Sequence, residues 1–256
     1  MPCYDPKAEG SVALADQPRP PARRGTVTIA LAGNPNTGKT SLFNALTGLR
    51  TRTANFPGTT VEHSVGTISL DGYDAELLDL PGMYSLRAAT PDEEVSRKVL
   101  LGEQSGLGRP DAVVLMADAG NIERSLFLVS QVLEQGLRVV VALNLMDEAK
   151  RHGVHVDPDA LGRELGCPVV PMVARSGKGV PELRAELIAL FNDSSLADFS
   201  FEPATPGCTE CSGCPFQSRY MWSEEVASRC VDIPRTAPPS RTEKLDDLLT
   251  HPVVGI

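Results

Sequence analysis

An apolar run, Val27-Thr28-Ile29-Ala30-Leu31-Ala32, leads directly into Gly33-Asn34-Pro35-Asn36-Thr37-Gly38-Lys39-Thr40, and a helix-forming stretch from Ser41 to Leu46 follows. The order constrains the fold more than the motif does. A loop between a buried strand and a helix turns successive backbone N–H groups toward one point and places the helix N-terminus there, which suits a polyphosphate. Lys39 is expected to reach the β- and γ-phosphates and the Thr40 hydroxyl to bind Mg²⁺. Asn34, Pro35, Asn36, Thr37, Gly38 and Ser41 complete the expected cradle. The same letters alone describe a Gly-rich turn with a surface lysine; the strand before and the helix behind favour phosphate.

At 256 residues the chain has room for one substantial core and a small second unit. Its formal net charge of -9 argues against a non-specific nucleic-acid surface. No uninterrupted apolar run approaches the roughly 18–20 residues of a membrane span. Residues 1–25 are broken by five prolines and carry no signal-peptide core; they read as a disordered tail ending in Arg19, Arg23 and Arg24. The six cysteines do not form a disulfide framework for a chain of this size, so a reducing compartment is expected.

Strand and helix patterns alternate from Val27 to about Asn192, as in a sheet wrapped by helices. The stretch Arg50 to Thr60 reads as irregular. Val65–Leu70 and Tyr73–Leu78 flank the turn dipeptide Asp71-Gly72 and read as an antiparallel hairpin. Asp111–Ala117, Arg138–Leu143 and Cys167–Val173 read as buried strands, and Cys167 as a small core residue. Asn121–Glu134, a segment opened by Asp157-Pro158 and stopped by Gly166, and Val180–Phe191 read as helices. Beyond Asn192 the alternation stops, leaving one candidate helix from Gln217 to Cys230.

Three later segments bear on which nucleotide the loop holds. Asp79-Leu80-Pro81-Gly82 ends the second hairpin strand, where Asp79 can hold Mg²⁺ through water and Gly82 can offer its N–H to a γ-phosphate. Asn144-Leu145-Met146-Asp147 follows an apolar strand; Asp147 can accept from guanine N1–H and the exocyclic amine, a donor pair adenine lacks. Asn144 would buttress the phosphate loop. Val173-Ala174-Arg175, with Ser176, could present backbone N–H groups to guanine O6. Earlier in the chain lies Asn55-Phe56-Pro57-Gly58-Thr59-Thr60, whose threonines could complete a Mg²⁺ shell when a γ-phosphate is present.

In this order the segments resemble the P-loop GTPases of Ras-like fold. GNPNTGKTSLFNALTG, NFPGTTVE, DLPGMYSL, NIERSLFL and ALNLMDEA are narrower: they resemble the cytosolic G domain of the FeoB ferrous iron transporters, within the TrmE-Era-like GTPases. The similarity covers residues 27–192 and resumes at 242–256. It implies a mostly parallel α/β sheet of six to seven strands with one antiparallel edge strand and helices on both faces. It also implies a G domain over 26–193 and GTP hydrolysis coupled to Fe²⁺ uptake through a membrane portion. The location implied is the cytoplasmic face of a bacterial inner membrane. The implied partners are the chain's own membrane domain, small accessory proteins and a second copy of the chain, with no nucleic acid. The chain is accordingly expected to be a fragment of a longer protein.

Family register selects Thr60 over Thr59 as the Mg²⁺ ligand, beside Thr40 and Asp79. Lys39, Asn36, Thr60 and Gly82 are the implied catalytic set. Ras-like GTPases orient water with a glutamine after Asp-x-x-Gly; here that position is Met83, which neither donates nor accepts usefully. In the resembled group an Asn in the phosphate loop supports a K⁺ ion, and Asn36 matches it, so slow, K⁺-stimulated hydrolysis is expected. The family's helical domain looks shortened, since residues 194–256 are short and rich in Pro and Ser. They also carry Cys208, Cys211 and Cys214, a C-x2-C-x2-C run able to hold Zn²⁺ or an iron–sulfur centre, with Cys230 as a fourth ligand, or to remain an idle loop. The alternatives are a soluble K⁺-dependent GTPase of the tRNA-modification or ribosome-assembly type, and a GTP-dependent switch without useful turnover.

Overall fold

The computed structural model describes residues 26–48, 51–192 and 215–232. The tail, Cys208, Cys211, Cys214 and the segment 242–256 lie outside the described residues.

The first strand, β1 (Thr26–Gly33), is apolar on both faces because it is covered on both. Val27, Ile29 and Leu31 enter one core with Leu42, Phe43 and Leu46 of α1 (Lys39–Thr47). Ala30 and Ala32 enter the opposite core. The other strands are β2 (Thr51–Asn55), β3 (Glu62–Leu70), β4 (Tyr73–Asp79), β5 (Ala112–Asp118), β6 (Val139–Asn144) and β8 (Val169–Pro171). They form one seven-stranded sheet in the order β2-β3-β4-β1-β5-β6-β8. All pairings from β4 to β8 are parallel. The hairpin strand β3 is antiparallel to both of its neighbours.

The irregular reading of Arg50 to Thr60 is corrected: Thr51–Asn55 pairs with β3 and takes the sheet edge. Four of its five residues are exposed, so it lacks the apolar alternation that marks a strand in sequence. The strand expected over Cys167–Val173 is shorter, Val169–Pro171, and Val173 instead bridges to Lys178.

Helix α1 and α6 (Val180–Asn192) cover one face of the sheet. The other face carries α2 (Pro91–Leu101), α3 (Ile122–Glu134) and α5 (Pro158–Leu165). Burying each core leucine or isoleucine here stabilises the fold by about 1.5–3 kcal/mol. Helix α2 has a clear start in the chain that the pattern reading passed over. Thr90 accepts from the Glu93 N–H, Pro91 follows it, and the Glu93 carboxylate accepts from the Ala89 N–H.

The candidate helix near Cys230 forms as α7 (Pro215–Cys230). It lies against α3 and α5 through Arg219, which bonds the Ser130 hydroxyl and the Glu134 carboxylate, and through Val226, which is fully buried. A short strand β9 (Val231–Asp232) follows and pairs antiparallel with β7 (His155–Val156). A second short helix, α4 (Met146–Arg151), follows β6.

Candidate functional site

The phosphate-type loop is closed by its own side chains. The Thr37 hydroxyl donates to the Asn34 carbonyl at 2.8 Å. Lys39 Nζ donates to the carbonyls of Gly33 and Asn34 at 3.2 and 3.1 Å, folding back over the loop crest. Helix α1 starts from Gly38 without a side-chain cap, whereas α2 and α5 are capped by Thr90 and Asp157. Its first-turn N–H groups are therefore left for an anion. Gly38 sits at φ 90°, and a Cβ there would stand 2.4 Å from Asn144 Nδ2.

Strand β4 ends at Asp79, and the chain beyond it stays pressed to β1. The N–H groups of Leu80 and Met83 donate to the carbonyls of Leu31 and Gly33. Gly82 packs so closely on Pro35 that a Cβ would meet its ring at 2.9 Å. Lys39, Thr40, Thr60, Asp79, Leu80, Pro81 and Gly82 thus line one cavity of about 730 Å³. Burial pushes the Asp79 carboxyl up to about 6, partly offset by Lys39, and burial lowers Lys39, partly offset by Asp79. Asp79 Oδ1 is buried without a hydrogen-bond partner. An orphaned carboxylate oxygen beside two threonine hydroxyls is a hard-oxygen donor set that fits Mg²⁺.

Asn144 ties the second region to the first. Its Nδ2 donates to the Thr37 carbonyl at 2.9 Å, and its Oδ1 accepts from the Ala174 N–H at 2.8 Å. Leu145 takes a left-handed φ of 62°, which turns the chain so that Met146 and Asp147 open α4. The Met146 N–H meets the Met172 carbonyl, setting this turn beside the Val173-Ala174-Arg175 loop. The Asp147 side chain is 49% exposed and pairs with Arg151 at 3.5 Å. Such an exposed pair is worth little and does not hold the carboxylate from a ligand. In this loop the Ala174 N–H donates to Asn144 Oδ1 and the Ser176 N–H to the Val173 carbonyl.

The Phe56–Val61 loop is a tight turn. Phe56 N–H donates to the Val61 carbonyl and Thr59 N–H to the Phe56 carbonyl, with Gly58 at φ 75°. The Thr59 hydroxyl is engaged inside the turn, with Phe56 and Val61. Thr60, not Thr59, is the threonine that lines the cavity. The cavity wall also includes Glu62, His63, Ser64 and Asp92, which the sequence reading did not name. Their signal was position: three follow Thr60 after Val61, and Asp92 lies in the first turn of α2.

Met83 is fully buried in the core, so it takes no part in the cavity. Asn36 is exposed on the loop at a left-handed φ of 65°. Cys230 is 3% exposed within the core between α7 and α5. Burial, with Glu164 and Asp157 nearby, raises its thiol. Cys167 is packed against the same core as expected, its thiol pushed up to about 12 by burial. Among the described residues, no group of three or more His, Cys, Asp or Glu could hold a metal ion.

The family model for ferrous iron transport protein B matches residues 27–187, well over half of the 256 residues. The chain belongs to the ferrous iron transport protein B family. It is 43% identical over 162 residues to the Fe(2+) transporter FeoB of Salmonella typhimurium, spanning 62% of this chain and 20% of that relative. The chain thus matches about a fifth of the transporter's length. Among solved structures, the cytosolic domain of T. maritima FeoB in a GDP form aligns with TM-score 0.71 at 29% identity, covering 81% of this chain and 100% of that one. The T. maritima FeoB G domain alone aligns at 43% identity and TM-score 0.59, covering 66% of this chain and 99% of that one. The matched G domain accounts for the seven-stranded sheet and its loops. Among the described residues no helix is long and apolar enough to cross a membrane.

Proposed function

We propose that this FeoB-family chain binds and hydrolyses GTP in the cavity between the Gly33–Thr40 loop and Asp79–Gly82. Its nucleotide state would be coupled to Fe²⁺ uptake through a membrane portion of the transporter, at the cytoplasmic face of the inner membrane. The observation that carries the reading is the convergence of Lys39, Thr40, Thr60, Asp79 and Gly82 on one cavity. Lys39 and the uncapped start of α1 would hold the β- and γ-phosphates, and the Gly82 N–H would meet the γ-phosphate. Thr40, Thr60 and Asp79 would hold Mg²⁺, which supplies charge neutralisation at the phosphates when bound. Asn144 would keep Thr37 and the base-side loops in register, Asp147 would read guanine, and the Arg175 N–H remains for O6.

Met83 is buried, so water would be oriented by backbone N–H groups, by another loop or by an ion. Asn36 is the proposed support for K⁺ there, on the loop itself. Residues 26–193 form the proposed G domain, and 194–256 lead toward the membrane portion. Calorimetric titration of the chain with GDP, GTP and ATP in Mg²⁺ tests the reading. Tight binding of both guanine nucleotides and none of ATP is expected; equal affinity for ATP would overturn it.

A further inference from the structure

Helix α2 and the turn that follows it hold both loops that flank the cavity, each by the carbonyl of a proline. Ser96, fully buried, directs its hydroxyl at the Pro81 carbonyl at 3.0 Å, the nearer of two acceptors, with the Asp92 carbonyl one turn back at 3.3 Å. Gln104, 6% exposed, donates Nε2 to the Pro57 carbonyl at 2.7 Å. A buried amide or hydroxyl is destabilising when left unpaired, so both grips are directional as well as tight.

The platform under Gln104 is itself fixed. Gly102 ends α2 at φ 75°, and the Glu103 N–H closes back on the Lys98 carbonyl at 2.7 Å. Arg97 pairs with both Glu94 and Glu103, at 2.9 and 2.8 Å. The Leu107 N–H donates to the Gln104 carbonyl, and a Cβ added at Gly106 would meet the Pro57 ring at 3.5 Å. On the other side of the turn, Phe56 is fully buried and stacks on His63 with ring centroids 3.9 Å apart. With Phe56 and Pro57 pinned and the Thr59 hydroxyl consumed inside the turn, Thr60 is the residue presented to the cavity.

We propose that α2 and the turn after it form a clamp joining the two loops, and that Gln104, with Ser96, is a positioning residue that holds Thr60 ready for a triphosphate. The proposal rests on the guanine-nucleotide reading above. Thr60 matters only when a γ-phosphate and its metal are present, so loosening the clamp weakens triphosphate binding and spares diphosphate binding.

The test compares the full chain with Gln104→Met, which fills the space but cannot donate, and Ser96→Ala. Equilibrium binding of fluorescent GDP and of a non-hydrolysable GTP analogue is measured in Mg²⁺. One lost hydrogen bond corresponds to a roughly 3- to 10-fold weaker analogue affinity, with GDP held within about 2-fold. Faster amide exchange confined to residues 56–61 is expected alongside. An unchanged GTP-to-GDP affinity ratio in Gln104→Met overturns the proposal, whether both affinities stay or both fall together. If that variant does not fold, the ratio in Ser96→Ala decides in the same way. Failure of the unaltered chain to bind either nucleotide would instead remove the functional reading beneath it.

Discussion

Asn144 reaches back 107 residues to Thr37: its Nδ2 donates to the Thr37 carbonyl at 2.9 Å in a buried setting. The other end of the same amide accepts from the Ala174 N–H. One side chain therefore fixes three loops at the C-terminal ends of the parallel strands. Asn144→Ala strands a buried carbonyl and a buried N–H, at a cost of about 2–4 kcal/mol. The expected outcome in thermal unfolding is a Tm lower by about 5–15 °C. Asn144→Ala with unchanged Tm and nucleotide affinity would show that the tie carries neither stability nor function.

The Asp79 carboxyl gives a pH signature. Burial raises it from 3.8 unfolded to about 6 in the fold. Between those values the native state binds more protons than the unfolded one, so stability of the nucleotide-free protein falls as pH rises from about 4 to about 6. Asp79→Asn removes this penalty. The variant is expected to be more stable than the parent at pH 7.5, by up to about 3 kcal/mol, and equal to it near pH 4. Urea unfolding at the two pH values checks this. Mg²⁺-dependent nucleotide binding by the variant is expected to be lost.

Base choice is assigned to Asp147. Its half-exposed carboxylate would accept from the two donors of guanine; an amide in its place offers a donor instead. Asp147→Asn should weaken GTP binding and improve xanthosine triphosphate binding, whose 2-oxo group accepts. Competition between the two nucleotides on the variant reads the switch directly.

The proposed ion is tested at Asn36. Single-turnover hydrolysis should be faster in K⁺ than in Na⁺, and Asn36→Ala should lose the difference while keeping GDP affinity. Equal rates in the two salts for the unaltered chain would remove the ion from the account.

The parallel strands and the loops at their ends were readable because β1, β5 and β6 are continuous apolar runs that stop at polar, chemistry-bearing residues. The hairpin was readable from Asp71-Gly72. What was missed has physical reasons. β2 is an edge strand with exposed polar residues, so no burial pattern marks it. The cap at Thr90-Pro91 was present in the chain, but α2 follows a long loop with no apolar strand to announce it. Gln104 and Ser96 could not be found from spacing, because each bonds a backbone carbonyl far away in sequence, and carbonyls carry no letter. Thr60 was chosen over Thr59 by family register; the turn gives a local reason, since it consumes the Thr59 hydroxyl.

GTP turnover is proposed for this cavity. Phosphate release from GTP and from ATP, by the unaltered chain and by Lys39→Ala in Mg²⁺ and K⁺, tests it most directly. Slow release from GTP alone, abolished in Lys39→Ala, is the expected result. No release from GTP, or equal release from ATP, would contradict it.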